Sequence, residues 1–215
     1  MIPARMGSQR LKKKNLRELN GVPLITRAIR KCLEANCFDE VYVNSEDEAF
    51  RAIAEAEGVK FYRRPEALGD NDATSEDFMI DFLRQHECDF ILQVHSIAPL
   101  LSADEVREFT TEFLNSDNDV YLSCIEDQIE VAFENKPVNF TLSEKTNSQD
   151  LTPTQRVTWS ITGWRRDTFL RAKDNNKTGT YAGKIGFFPV SSFSGHVIKT
   201  EADLNIAAAL LDNMK

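Results

Sequence analysis

The chain has 215 residues, 41% hydrophobic and 28% charged, with a formal net charge of −8. That length carries one full-sized domain with a real core, and the acidic balance argues against a general binder of nucleic acid or anionic membrane. No apolar stretch approaches membrane-spanning length and no signal peptide precedes the first motif, so a cytoplasmic protein is expected. Cys32, Cys37, Cys88 and Cys124 are scattered, with no CxxC pair and no histidine at zinc-ligand spacing, which reads as buried, reduced thiols.

Residues 2–16 (IPARMGSQRLKKKNL) pass from a short apolar start into a loop holding Gly7, Ser8 and the cations Arg5, Arg10, Lys12, Lys13 and Lys14, and then to Asn15. A loop at the carboxyl end of a strand, with backbone N–H groups beside a glycine and cations crowded around it, is suited to a polyanion. A solvated basic turn is the alternative. Residues 1–4 leave little room for a first strand, which is either unusually short or preceded by a few further native residues.

Pro23 opens a helix with Leu24, Ile25, Ala28, Ile29, Cys32 and Leu33 on one face. Residues 40–45 (EVYVNS) read as a strand, 46–57 as a helix and 59–62 as another short strand. Thr74 and Asp77 frame a capping box for a helix bearing Phe78, Met79, Phe82 and Leu83. Residues 90–95 (FILQVH) form a continuous apolar strand, as expected when both sheet faces are covered. Ser102 caps the next helix, which buries Val106, Phe109, Phe113 and Leu114, and residues 120–125 form a strand.

Residues 126–156 break this rhythm with a polar stretch containing Pro137 and Pro153 and a weak strand-like piece at 138–142. They are expected to form an inserted arm or hairpin within one domain spanning 1–215. Regular patterning returns at 158–164 and 184–190, before a last helix from Glu201. The alternation predicts an α/β fold, a three-layer doubly wound (Rossmann-like), mostly parallel sheet with ligands at the carboxyl ends of its strands. A phosphate-loop ATPase or GTPase is excluded by spacing, since no G-x-x-x-x-G-K-[ST] occurs.

The pattern resembles the acylneuraminate cytidylyltransferases, with the 3-deoxy-manno-octulosonate enzymes as cousins. The resemblance is strongest at residues 2–16, at 61–78 (FYRRPEALGDNDATSEDF), at 91–101 (ILQVHSIAPLL) and from 184 to 211. It implies a nucleotide-diphospho-sugar transferase fold, CMP transfer from CTP to a sugar acid, and a homodimer in which the arm completes the neighbour's sugar site. Residue by residue, it implies that Arg5 and Lys14 contact the phosphates and that the backbone of Met6, Gly7 and Ser8 wraps them. It puts Asn15 near the nucleoside, Arg64 at the cytosine, Ser75 beside the base and Gln155 near the sugar. For Arg64 a surface pairing with Glu66 is the alternative, for Ser75 a helix cap, and for Asn15 a turn role.

Two departures stand out. Just before the last helix the resembling proteins carry metal-binding aspartates, whereas this chain has Val197 and Lys199; Asp203 remains, in a Thr200-x-x-Asp203 capping arrangement. Lys199 is thus a candidate substitute for a metal charge, with Mg2+ expected to arrive bound to CTP. At the fourth strand either His95 or Gln93 takes the place of a glutamine expected at the sugar. A relative that binds a nucleotide without turnover is the rival reading.

Overall fold

In the computed structural model, residues 1–213 are described. Seven strands build the central sheet: β1 (Ile2–Pro3), β2 (Tyr42–Ser45), β3 (Lys60–Arg63), β4 (Phe90–Val94), β5 (Val120–Asp127), β6 (Thr154–Arg165) and β7 (Ile185–Pro189). β1 pairs in parallel with β2, and β2 with β3. β6 runs antiparallel between β4 and β5, and β7 lies parallel to β5. The two halves join where the Met1 N–H donates to the Leu92 carbonyl (2.7 Å) and the Val94 N–H to the Met1 carbonyl (3.1 Å). The order is therefore β7-β5-β6-β4-β1-β2-β3, with β6 the single reversed strand.

Both faces of the sheet are covered, which is why β4 reads as an unbroken apolar run. On one face α1 (Leu24–Ala35), α2 (Ala49–Ala56) and α4 (Ala103–Asn115) pack Ile25, Ile29, Phe50, Val106, Phe109 and Phe113 against Ile2, Val43, Leu92 and Val94. On the other, α3 (Ser75–Gln85) and α5 (Arg166–Asp174) pack Met79, Phe82, Leu83 and Phe169 against Ile91, Leu122 and Trp164. A smaller cluster holds α6 (Glu201–Asn213) to Leu11, Leu19, Leu24 and Ile198, so the last helix braces the basic loop. The capping box expected at Thr74–Asp77 forms, and Ser102 caps α4 as expected, in a box completed by Glu105.

The structure departs from the sequence reading in four places. Leu33 and Leu114 were expected on buried faces but remain 44% and 46% exposed. Each follows a buried residue, Cys32 or Phe113, in the last turn, and one helical step rotates it off the apolar stripe. The segment expected at 158–164 is the central part of the longer β6, whose register shifts between Val157 and Thr162 around Trp159 at φ 60°. Helix α5, which periodicity did not reveal, follows β6 directly. Within the arm, the 138–142 piece is irregular; between the ends of β5 and β6 that bound it, the only paired segments among its described residues are Ala132–Phe133 and Lys136–Pro137, turned by Glu134 and Asn135 at positive φ. Among the described cysteines all four are free, with Cys32 and Cys124 buried.

Glu76, in the first turn of α3, ties this helix to α5. Its carboxylate accepts from Lys173 Nζ (2.8 Å), the Thr180 amide (2.7 Å) and the Thr178 hydroxyl. Burial alone raises the carboxyl, but these donors outweigh it and hold Glu76 at about 2. Because the folded value is depressed, the resulting stabilisation is complete above the ordinary 4.5 and disappears as pH falls toward about 2. Glu76→Gln is expected to unfold at lower urea concentration than the parent at pH 7, and the gap should close between pH 4.5 and 2. A gap unchanged across that range would contradict this linkage.

Candidate active site

The carboxyl ends of β1, β2, β3 and β4 meet at a cleft of ≈ 300 Å³ lined by Arg5, Ser8, Arg10, Lys14, Arg64, Phe78 and His95, among others. A larger cavity of ≈ 420 Å³ opens at the opposite strand ends, but its lining includes Asp39, Glu40, Glu87 and Asp89 and no arginine or lysine. Of these two, the first has the charge to hold a polyanion, and it lies where doubly wound sheets bind ligands.

The basic loop is shaped from beneath by Arg64. This side chain is 2% exposed, and its terminal nitrogens donate to the Ala4 carbonyl (2.9 Å), Asn44 Oδ1 (3.2 Å) and Glu46 Oε2 (2.8 Å). Glu46 Oε1 in turn accepts the Met6 amide (2.9 Å). A Cβ on Gly69 would fall 2.4 Å from Glu46, so the absence of a side chain there makes room for the carboxylate. The guanidinium also lies over the Phe78 ring at 4.7 Å, and its Nε is buried without a partner. Arg64 is therefore not a surface partner of Glu66; the neighbouring Arg63 faces that residue at 3.8 Å.

Asn15 closes the loop. It is buried, donates Nδ2 to the Arg5 carbonyl (3.0 Å) and accepts from Ser96 Oγ (2.6 Å), binding both ends of the loop to the turn after β4. The Ser8 amide turns back to the Met6 carbonyl (3.0 Å). With the Met6 and Ser8 amides so occupied, Gly7 presents an N–H with no internal acceptor among the described residues. The five loop cations divide: Arg5, Arg10 and Lys14 line the cleft, whereas Lys12 and Lys13 line a separate depression with Met6 and Leu16.

His95 lines the cleft from the end of β4, with Nε2 buried and unpartnered. Burial, reinforced by the terminal ammonium and Lys14, lowers its imidazole to about 4, so it is neutral at physiological pH. Gln93 lies two residues earlier, buried opposite Thr162 of β6; its Nε2 and the Thr162 hydroxyl are likewise unpaired. Of the expected site residues, Met6, Gly7, Ser75, Gln93, Gln155, Lys199 and Asp203 lie outside the cleft lining. Ser75 is exposed at the first position of α3, where Thr74 is the cap. Gln155 is exposed on β6, with Nε2 bonded to Glu126 (3.3 Å). Asp203 is committed to the amides of Lys199 (2.9 Å) and Thr200 (2.8 Å) as a helix cap.

Sequence reasoning missed Glu46, Asn44 and the inward face of Phe78. Phe78 carried a legible signal, since it follows Ser75 by one helical turn. The role of Glu46 depended on knowing that β1, β2 and β3 end side by side. Removing a partner of a buried ion pair typically costs about 3–5 kcal/mol. Glu46→Ala is expected to lose stability in that range in urea unfolding and to expose the basic loop to faster tryptic cleavage. A variant as stable and protease-resistant as the parent would show that Arg64 does not depend on this pair.

A family model described as cytidylyltransferase matches residues 1–214. Over 200 residues the chain is 31% identical to an N-acylneuraminate cytidylyltransferase of Streptococcus agalactiae, covering 85% of this chain and 46% of that protein. The chain thus spans about half the length of that relative. A pseudaminic acid cytidylyltransferase of Campylobacter jejuni is 32% identical over 166 residues, 71% of each chain. In fold, a CMP:2-keto-3-deoxy-manno-octonic acid synthetase solved with CTP superposes with a TM-score of 0.72 at 19% identity, covering 100% of this chain and 98% of that one.

Proposed function

The chain belongs to the cytidylyltransferase family, and from that premise we propose that it transfers CMP from CTP to a sialic-acid-like (nonulosonic or ulosonic) sugar acid. The observation that carries this reading is the cleft, where three cations of an acidic chain converge beside a buried guanidinium stacked on an aromatic ring. In this reaction the sugar's anomeric hydroxyl attacks the α-phosphorus of CTP. An O–P bond forms as the α–β anhydride bond breaks, the electron pair leaves with pyrophosphate, and the hydroxyl proton passes to solvent.

Arg5, Lys14 and the free Gly7 N–H bind the phosphates and offset the charge that grows on the leaving group. Met6 and Ser8 shape that turn, Asn15 fixes it, and Arg64 with Phe78 forms the wall against the base, with Ser75 at the rim. Neutral His95 lines the sugar side of the cleft, with Gln93 behind it. The arm exposes Ile129, Phe133, Val138 and Leu142, and we assign these to contact with a second copy, which brings Gln155 near a shared sugar site. Among the described residues no helix is long and apolar enough to cross a membrane, and CTP as substrate fits a cytoplasmic enzyme.

Pyrophosphate release, measured across four nucleotides and a panel of nonulosonic and ulosonic acids, is expected to select CTP with at least one sugar acid. Arg5→Ala should reduce kcat/KM by about 10²–10³, the usual cost of losing a transition-state donor. Binding of CTP without any turnover would favour a non-catalytic relative, the reading suggested by Val197 and Lys199. Light scattering at assay concentration should give the mass of a dimer; a monomer would withdraw the shared site.

A further inference from the structure

The segment before α6 is fastened to the cleft wall. The Ile198 N–H donates to the Ile97 carbonyl (2.8 Å), and the fully buried Ile198 packs in one cluster with Leu11. Ile97 and Leu11 both line the cleft. The next residue, Lys199, has its amide held by Asp203 Oδ2 at 2.9 Å, while its side chain is exposed.

The charges around this point are unbalanced. The Lys14 ammonium lies below its ordinary value, first through burial and then through the nearby charges of Arg10, Arg5 and Lys199, with Asp203 opposing. Arg5, Arg10 and Lys14 line the cleft, and Lys199 directly follows the residue fastened to its wall. The carboxylates close to them are already engaged: Asp203 Oδ2 accepts the Thr200 amide (2.8 Å) and hydroxyl (2.9 Å), and Glu46 serves Arg64 and Met6. A divalent ion is expected with a nucleotide triphosphate, but this donor set does not suit one. Among the described residues the cleft lining contains no aspartate or glutamate, whereas magnesium beside a triphosphate is held by one or two carboxylates in addition to the phosphates. An anion entering between these cations relieves their mutual repulsion.

We propose that Lys199 joins Arg5, Arg10 and Lys14 as a protein-supplied counter-charge for the triphosphate, so that nucleotide binding needs no metal held by the protein. The inference rests on the CTP-dependent reading above and concerns how the same site holds its nucleotide. Magnesium then enters only as an ion the triphosphate itself carries.

Isothermal titration of CTP into the full chain, with EDTA and separately with magnesium, tests this. Wild-type Kd is expected to agree within about threefold between the two conditions. Lys199→Ala should weaken binding in EDTA about tenfold, in line with loss of one charged hydrogen bond, while Lys199→Arg retains it. Circular dichroism checks that these exposed-site variants fold. Abolition of wild-type binding by EDTA, or unchanged binding by Lys199→Ala, overturns the proposal. If pyrophosphate release with CTP persists in that case, the nucleotidyl-transfer reading survives and only the role of Lys199 falls. Absence of both binding and turnover overturns the two together.

Discussion

The site depends on one buried cation. Arg64 stands at the carboxyl end of β3 and gathers the Ala4 carbonyl after β1, the Asn44 side chain on β2 and the Glu46 carboxylate after β2. A guanidinium has the fork geometry for several acceptors at once, which a lysine lacks. Through Glu46 the same ion pair reaches the Met6 amide and sets the path of the basic loop. Desolvating Arg64 is tolerable because each of these acceptors returns part of the lost hydration. The loop's form is thus fixed by a charge beneath it as much as by its own residues.

From that anchor the site's electrostatics follow. The chain is acidic overall, yet Arg5, Arg10 and Lys14 line one cleft. Local field, not net charge, decides what a concave site attracts, because low-dielectric walls focus it. The opposite cavity, with its acidic lining, repels the same ligand. Asn15 keeps the cations in register by joining the loop to the Ser96 turn, and α6 supports the loop's apolar residue Leu11 from outside. Position and charge are what phosphoryl transfer asks of a protein.

Much of the fold was legible in local chemistry. The capping boxes of α3 and α4 lie within four residues of sequence, and the apolar run of β4 records burial on both faces. The reversed direction of β6 was not legible, because strand polarity is set by which neighbours it meets, and the irregular arm conceals the turn back. Helix α5 was missed because its buried stripe within Arg166–Asp174 contains only one fully buried residue, Phe169. Exposure of Leu33 and Leu114 likewise depended on where each helix ends against the sheet.

The sequence by itself determined a doubly wound α/β chain with a polyanion loop after its first strand, since glycine, cations and apolar periodicity are local properties. Tertiary structure decided which cations line the cleft. It turned Lys12 and Lys13 away, drew Arg64 off the surface to Glu46, and brought Lys199 into the neighbourhood of Lys14. Lys14 and Lys199 are far apart in the chain, and the Ile198–Ile97 hydrogen bond and the packing of Ile198 with Leu11 bring their segments together. Pairings of that kind are governed by distance in space, because Coulomb interaction takes no account of separation along the chain.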